Sequence, residues 1–127
     1  MSKRLKQFAE MIDALPSPVD TVRNTSVTIL KASAKLIALT DWTDRSGEPG
    51  QLAKMHATST DTANSLGNIL GEDHEGVILI RKMLAIAKAQ LEGRPEPTDA
   101  ELDGGGCASM ILVAIVIAGG GAWLATY

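Results

Sequence analysis

The sequence predicts an all-α protein: a small bundle of about four amphipathic helices, an acidic linker and a single C-terminal transmembrane helix. Apolar residues recur at helical spacing in four segments of the first 92 residues. Only four aromatic residues occur among 127, a composition that argues against a β-sandwich. Residues 107–127 carry no charged side chain. We therefore expect a helical head (1–92), a flexible acidic Pro/Gly linker (93–106) and a membrane span (107–127).

The first predicted helix covers residues 2–15. Its apolar residues recur every three or four positions: Leu5, Phe8, Ala9, Ile12 and Leu15. Three cations near its start are typical of a solvated face, with contact to an acidic membrane surface as the alternative: Lys3, Arg4 and Lys6. Pro16 should end this helix. Ser17 as N-cap and Pro18 at the first helical position predict the start of the next one.

The second predicted helix has an unusually wide apolar stripe. One face holds Val19, Val22, Ser26, Ile29, Leu30, Ser33, Leu36 and Ile37, and Val27 and Ala34 widen it. A stripe of this width implies contact with more than one neighbouring helix. Trp42 follows in a loop rich in Asp, Ser, Gly and Pro, where we expect the indole to cover one end of the core.

The third and fourth predicted helices complete the head. The third covers Gln51–Leu70 and stops at Gly71, although its middle, residues 56–65, is polar enough to weaken a helix or to face a polar partner. The fourth covers Val77–Glu92 and is closed by Gly93. Its apolar residues fill most of the cylinder: Val77, Ile78, Leu79, Ile80, Met83, Leu84, Ile86, Ala87 and Leu91.

Composition excludes several functional classes. Residues 1–92 hold eleven basic and eleven acidic side chains, so the head offers no basic footprint and we expect no nucleic acid partner. The turn before the fourth helix places carboxylates around His74, but the only other histidine is His56, so we expect no metal. No phosphate loop, nucleotide fingerprint or nucleophile motif occurs. We expect no cofactor and no catalytic residues.

The C-terminal segment has the length and composition of a membrane span. Twenty-one helical residues would extend about 30 Å, which matches the hydrocarbon thickness of a bilayer. The residues predicted to span the membrane are Met110, Ile111, Leu112, Val113, Ile115, Val116, Ile117, Trp123 and Leu124. A face of small residues suited to helix packing comprises Ala114, Ala118, Gly121, Ala122 and Ala125. The predicted partners are therefore the lipid bilayer and either a second copy or other membrane proteins.

Other interpretations of this segment stay open. Its β-branched residues lie between two glycine triplets and also fit a buried strand or an assembly-prone segment, and a buried core helix is a further alternative. Cys107, the only cysteine, stands at the expected membrane entry, where a thiol can be acylated or can simply be a small side chain. No secretory signal precedes the head, so the head should face the side of synthesis, cytoplasmic or virion interior.

The pattern favours a non-enzymatic, membrane-anchored interaction or structural protein, a subunit of a larger cellular or virion assembly whose partner at the head is unknown. A second hypothesis rests on the sequence TDAELDGGG before Cys107. It resembles the end of leader segments of ribosomally made bacterial peptides, in which an acidic helical segment with Glu-Leu precedes a Gly-Gly cleavage point. The resemblance implies a leader (1–106), with Glu101 and Leu102 as its Glu-Leu pair, and a membrane-active peptide (107–127) released after Gly106. A third hypothesis is a membrane-permeabilising protein.

Overall fold

The computed structural model describes residues 3–102, and this part of the chain is helical. Four helices are present: α1 (Lys3–Asp13), α2 (Thr21–Leu39), α3 (Gln51–Leu70) and α4 (Glu75–Leu91). No strand occurs between residues 3 and 102. The predicted all-α bundle of about four helices is thus confirmed for the head. The predicted transmembrane helix (107–127) lies outside the described residues.

The four helices share one core, with α2 and α4 at its centre. Each of these two helices packs against the other three. α4 contributes the largest set of buried residues: Gly76, Val77, Leu79, Ile80, Met83, Leu84, Ile86, Ala87 and Ala89. Gly76 matters for this packing, because a Cβ atom at that position would overlap the side chains of Leu30 and Leu15. The missing side chain therefore lets the start of α4 approach α2 closely.

The start of α2 differs from the prediction. The helix begins at Thr21, and its N-cap is Asp20, whose carboxylate accepts a hydrogen bond of 3.0 Å from the backbone N–H of Arg23. Ser17 and Pro18 belong to the loop instead. The predicted start at these two residues is therefore wrong. Asp20 lies three residues after Ser17 and does the work expected of the serine, because its carboxylate accepts from an unpaired backbone N–H in the first helical turn. The loop between α1 and α2 is correspondingly longer.

α3 forms as predicted, including its polar middle. It runs without interruption over Gln51–Leu70 and stops at Gly71, whose φ is 100°. Two hydroxyls in the middle bond back to the preceding turn, from Thr60 Oγ1 to the His56 carbonyl (2.9 Å) and from Thr62 Oγ1 to the Thr58 carbonyl (3.1 Å). These bonds stay within the helix, so the hydroxyls do not need a partner elsewhere.

α4 begins two residues earlier than predicted and ends one residue earlier. His74 is its N-cap, because Nδ1 accepts a hydrogen bond of 3.0 Å from the backbone N–H of Gly76. At the other end Gly93 has a φ of 73°. The backbone N–H of Arg94 donates to the Ala89 carbonyl (2.8 Å) and that of Gly93 to the Gln90 carbonyl (3.2 Å). This is a Schellman motif, and it confirms Gly93 as the closing residue.

Residues 97–102 belong to a second unit of the chain, Pro97–Tyr127. Residues 99–102 are helical. Thr98 and Glu101 bond reciprocally: the Glu101 backbone N–H donates to Thr98 Oγ1 (3.2 Å), and the Thr98 backbone N–H donates to Glu101 Oε1 (2.9 Å). These two bonds form a capping box, and they hold the pKa of Glu101 below its usual value. A helix start thus lies within the predicted linker.

Candidate interaction surface

α2 has two apolar faces, and only one of them belongs to the core. The buried face comprises Ser26, Val27, Leu30, Ala34, Ile37 and Ala38. The second face, which we call the outer stripe, comprises Val22, Thr25, Ile29, Ala32, Leu36 and Leu39, and all six are exposed. Its four large side chains keep between 44% (Ile29) and 73% (Leu39) of their surface accessible. The wide apolar stripe seen in the sequence is therefore half core and half open surface.

The spacing of the outer stripe is that of a coiled-coil seam. Its residues follow one another at alternating intervals of three and four over residues 22–39. Val22, Ile29 and Leu36 occupy one heptad position, and Thr25, Ala32 and Leu39 occupy the other. Residues at this spacing lie along one side of a helix, and in a coiled coil this is the side that packs against the second helix.

No charged residue lies in the outer stripe. Two of the cations of α2 are directed at α1 instead: Lys31 Nζ donates to the Leu15 carbonyl (2.8 Å), and Lys35 Nζ lies 3.7 Å from Asp13 Oδ1. The one polar side chain within the stripe is the neutral hydroxyl of Thr25. Removal of this face from water therefore strips no ion of its hydration.

The stripe continues into a groove between α2 and α3. Leu36 lines this groove together with Met55, Thr58 and Ser59, while Glu48, Gln51 and Lys54 lie around it. The groove is open and has a volume of about 300 Å³. An open groove lined by apolar, polar and charged side chains together resembles the edge of a protein interface more than a closed ligand pocket.

The remaining exposed large apolar residues of the described chain are scattered. They are Met11 on α1, Val19 in the following loop, Ile69 on α3 and Ile78 on α4. Single apolar residues on a surface are ordinary, whereas a continuous apolar patch marks a surface that contacts a partner. The outer stripe of α2 is therefore our candidate interaction surface.

Both histidines have structural partners. His56 Nε2 lies 2.9 Å from the Leu84 carbonyl, which can only accept, so Nε2 carries the proton. Its ring packs nearly perpendicular to that of Trp42, at 81°, with ring centres 5.9 Å apart. His74 caps α4 through Nδ1. Within residues 3–102 no group of three or more His, Cys, Asp or Glu side chains converges on a metal position.

The strongest charged cluster joins the end of α3 to α4. Arg81 donates from Nε and Nη2 to the two carboxylate oxygens of Glu72, each at 2.8 Å, and from Nη1 to Asn64 Oδ1 at 3.1 Å. The hydrogen bonds from Arg81 lower the pKa of Glu72. The Glu72 carboxylate lies against Gly67 of α3, where a Cβ atom would overlap it. Its donors and acceptors satisfy one another, as expected of a structural clasp.

The loop between α2 and α3 is likewise internally bonded. Asp41 accepts hydrogen bonds from the backbone and hydroxyl of Thr43, and Asp44 accepts the same pair from Ser46. These bonds lower the pKa of both aspartates. Arg45 Nη2 donates to the Leu91 carbonyl (2.7 Å) at the end of α4. The open groove along this loop is lined in part by these bonded side chains, Asp41, Asp44, Arg45 and Ser46.

No family model, curated protein or solved structure matches this chain. The outer stripe therefore has to be interpreted from its own geometry. None of the helices in residues 3–102 is both long enough and apolar enough to span a membrane. Every residue predicted to span the membrane or to pack against another span (107–127) lies outside the described part of the chain.

Sequence reasoning missed the outer stripe although it had selected three of its residues. Val22, Ile29 and Leu36 were predicted to share one wide apolar face with Leu30 and Ile37, in contact with more than one neighbouring helix. In the structure the first three are exposed and the last two are buried. The width of the stripe in the sequence indicated the second face, since a helix with one buried side needs only about 100° of apolar surface. Apolar residues beyond that width predict a second contact surface on α2.

Proposed function

We propose that this protein is a membrane-anchored, non-enzymatic interaction protein, a subunit of a larger membrane-associated assembly in a cell or a virion. The observation that carries this proposal is the outer stripe of α2. A folded head that leaves a continuous, uncharged helix face open to solvent supports a role in protein contact, because such a face is a docking surface rather than a solvated one.

The anchor rests on the sequence of residues 107–127. Seven aliphatic side chains there each favour mid-membrane insertion by about 0.3–0.6 kcal/mol, which totals about −3 kcal/mol. Trp123 and Tyr127 lie near one end, where amphipathic rings prefer the headgroup level. With the head on the side of synthesis, this arrangement is that of a single-pass tail anchor.

The polar groups of the head support a non-catalytic role. Catalysis needs polar side chains that converge on a concave site and remain available to a substrate. The Glu72–Arg81 cluster, the Asp41 and Asp44 turns and the His74 cap all bind other groups of the head. Polar groups that bond within the head stabilise its fold, and this favours a protein whose role is to present the outer stripe to a partner.

Carbonate extraction of membranes, combined with the intact mass of the untagged protein, tests the anchor. We expect the full-length chain in the carbonate pellet. The variant Ile115→Arg should move to the supernatant, because an arginine at mid-span costs about 2.5–3.5 kcal/mol and offsets the whole insertion energy. Asp103→Arg, which adds an arginine to the linker, is the matched control and should stay in the pellet. A full-length wild-type chain in the supernatant would refute the anchor.

The precursor hypothesis is the second candidate, and one observation favours it. Glu101 and Leu102 lie in a helical segment that starts at the Thr98 cap, as the resemblance to leader peptides implies. The intact mass decides between the two proposals. A chain that ends at Gly106, together with a free peptide of residues 107–127, would identify a precursor.

A further inference from the structure

We propose that the outer stripe of α2 binds the outer stripe of a second copy of this chain, as an antiparallel helix pair. This inference names the partner of the head and rests on the proposed membrane anchor, which supplies the local concentration that the pair needs. Three properties of the stripe lead to it: its lack of charge, the sizes of its side chains and its area.

The lack of charge permits self-pairing. In a two-fold symmetric contact the same patch meets itself, so any net charge in the patch would face a like charge. The six residues of the outer stripe are all neutral. The stripe also offers no charge by which a different protein would be preferred over a second copy.

The side-chain sizes favour the antiparallel orientation. In an antiparallel pair the residues of one heptad position face those of the other. Val22 then meets Leu39, Thr25 meets Leu36, and Ile29 meets Ala32 of the second copy. Most layers combine a large with a small side chain, so the helices interdigitate at an even separation. A parallel pair would instead stack Ala32 on Ala32 and Thr25 on Thr25 between bulky layers and leave gaps.

The area requires a tethered partner. Residues 22–39 extend about 26 Å, and a helix is about 10 Å wide, so two stripes together bury on the order of 500 Å². Stable complexes between free proteins bury about 1,200–2,000 Å². A free partner would therefore bind this face only weakly. A copy anchored in the same bilayer would meet it at a high effective concentration, to which the predicted helix-packing face of residues 114–125 would add.

Disulfide crosslinking in intact cells tests the pair with the full chain. All variants carry Cys107→Ser, and two differently tagged copies are produced together. After oxidation, Thr25→Cys in one copy with Leu36→Cys in the other should form a mixed dimer, because the pairing brings these two positions face to face. We expect at least tenfold more of it than from Asn24→Cys with Lys35→Cys, two exposed positions on the polar side of α2.

A charged substitution in the stripe provides the second measurement. Ile29→Glu or Ala32→Glu, placed in both copies, should reduce the mixed dimer at least fivefold, and Asn24→Glu should leave it unchanged. All three positions are exposed, so the fold should tolerate the change, and circular dichroism of the purified variants checks this. An unchanged yield in both stripe variants would overturn the proposal.

The remaining outcomes are equally decisive. No mixed dimer, a Thr25→Cys chain that crosslinks mainly to itself, or a product whose mass is not the sum of the two tagged chains would each overturn the antiparallel pair. Carbonate extraction of the same cells separates this result from the anchor. A chain retained in the pellet without crosslinks refutes the pair alone. Crosslinks in a chain released into the supernatant refute the anchor and the tethering derived from it, while the pairing of the two stripes stands.

Discussion

At the scale of single residues, Trp42 stabilises the contact between α2 and α3 at the loop that joins them. Its side chain is almost completely buried, with 1% of its surface exposed. Nε1 donates to the Ile37 carbonyl at 3.0 Å, one of the last carbonyls of α2. The ring edge also contacts His56, which itself bonds to α4. Trp42 thus joins the end of α2 to the start of α3, and His56 extends this contact to the middle of α4.

We expect Trp42→Phe to destabilise the head by about 2 kcal/mol. The substitution removes the donor to the Ile37 carbonyl and leaves a small cavity. Trp42→Ala should cost about 3–5 kcal/mol. Urea unfolding of the full chain in detergent micelles, followed by circular dichroism, measures both values. Trp123→Phe in the C-terminal segment is the control and should change the unfolding free energy of the head by less than about 0.5 kcal/mol. Equal effects at both tryptophans would contradict this account.

The Glu72–Arg81 pair predicts a pH dependence at the same scale. Because the pKa of Glu72 is lowered in the folded chain, its contribution to stability is complete above about pH 5 and is lost as the pH falls through that lowered pKa. The pair is partly exposed, so Glu72→Gln should cost about 0.5–1 kcal/mol at pH 7.

Urea unfolding of the wild type and Glu72→Gln at pH 7 and in steps below pH 5 checks this prediction. The two stabilities should converge as the pH falls, since the wild type loses the ion pair that the variant lacks. Glu10→Gln is the matched control on α1 and should follow the wild type. A constant difference between wild type and Glu72→Gln at every pH would show that the ion pair is not the cause.

At the scale of elements, the loop between α1 and α2 shows why helix starts are hard to predict. Ser17 and Asp20 are both good N-cap residues, and the sequence alone does not say which one the chain uses. The structure uses Asp20, so the loop is longer than predicted. Tertiary contacts also act on this part of the chain, since Lys31 of α2 bonds to the Leu15 carbonyl just beyond α1. Such a contact between distant positions cannot be found in a local pattern.

Alanine substitutions distinguish the two caps. Asp20→Ala should destabilise the head by about 1 kcal/mol, because the backbone N–H of Arg23 loses its acceptor. Ser17→Ala should change the stability by less than about 0.5 kcal/mol, because this residue lies in the loop. Urea unfolding of both variants provides the comparison. A larger loss in Ser17→Ala would restore the start first predicted from the sequence.

At the scale of the whole molecule, periodicity predicted the helices better than it predicted their neighbours. All four helices were expected, and Gln51–Leu70 matches its prediction at both ends. The sequence did not predict that one apolar face of α2 is buried while the other stays exposed. Hydrophobic spacing shows that a side chain avoids water, but it does not show which partner covers that side chain. The helical start at Thr98 was hidden within a segment of linker composition. The candidate surface could therefore be recognised only after the core was known.

The same scale carries a prediction about the C-terminal segment. Deletion of residues 107–127 should yield a soluble head with its helices intact, because α1–α4 bury a core of their own. Circular dichroism and analytical ultracentrifugation of residues 1–106 check this, with the full chain in detergent as the reference for helical content. If the shortened chain aggregates or loses helicity, the segment belongs to the core and the anchor proposal is wrong.

The neutrality of the outer stripe also determines how its contact responds to solution conditions. Salt screens charges, so a contact made by uncharged side chains changes little with ionic strength. The hydrophobic effect weakens on cooling, so the same contact loosens in the cold. Excluded solutes such as sulfate strengthen it. We therefore expect the proposed contact through α2 to weaken on cooling and to change little in concentrated salt.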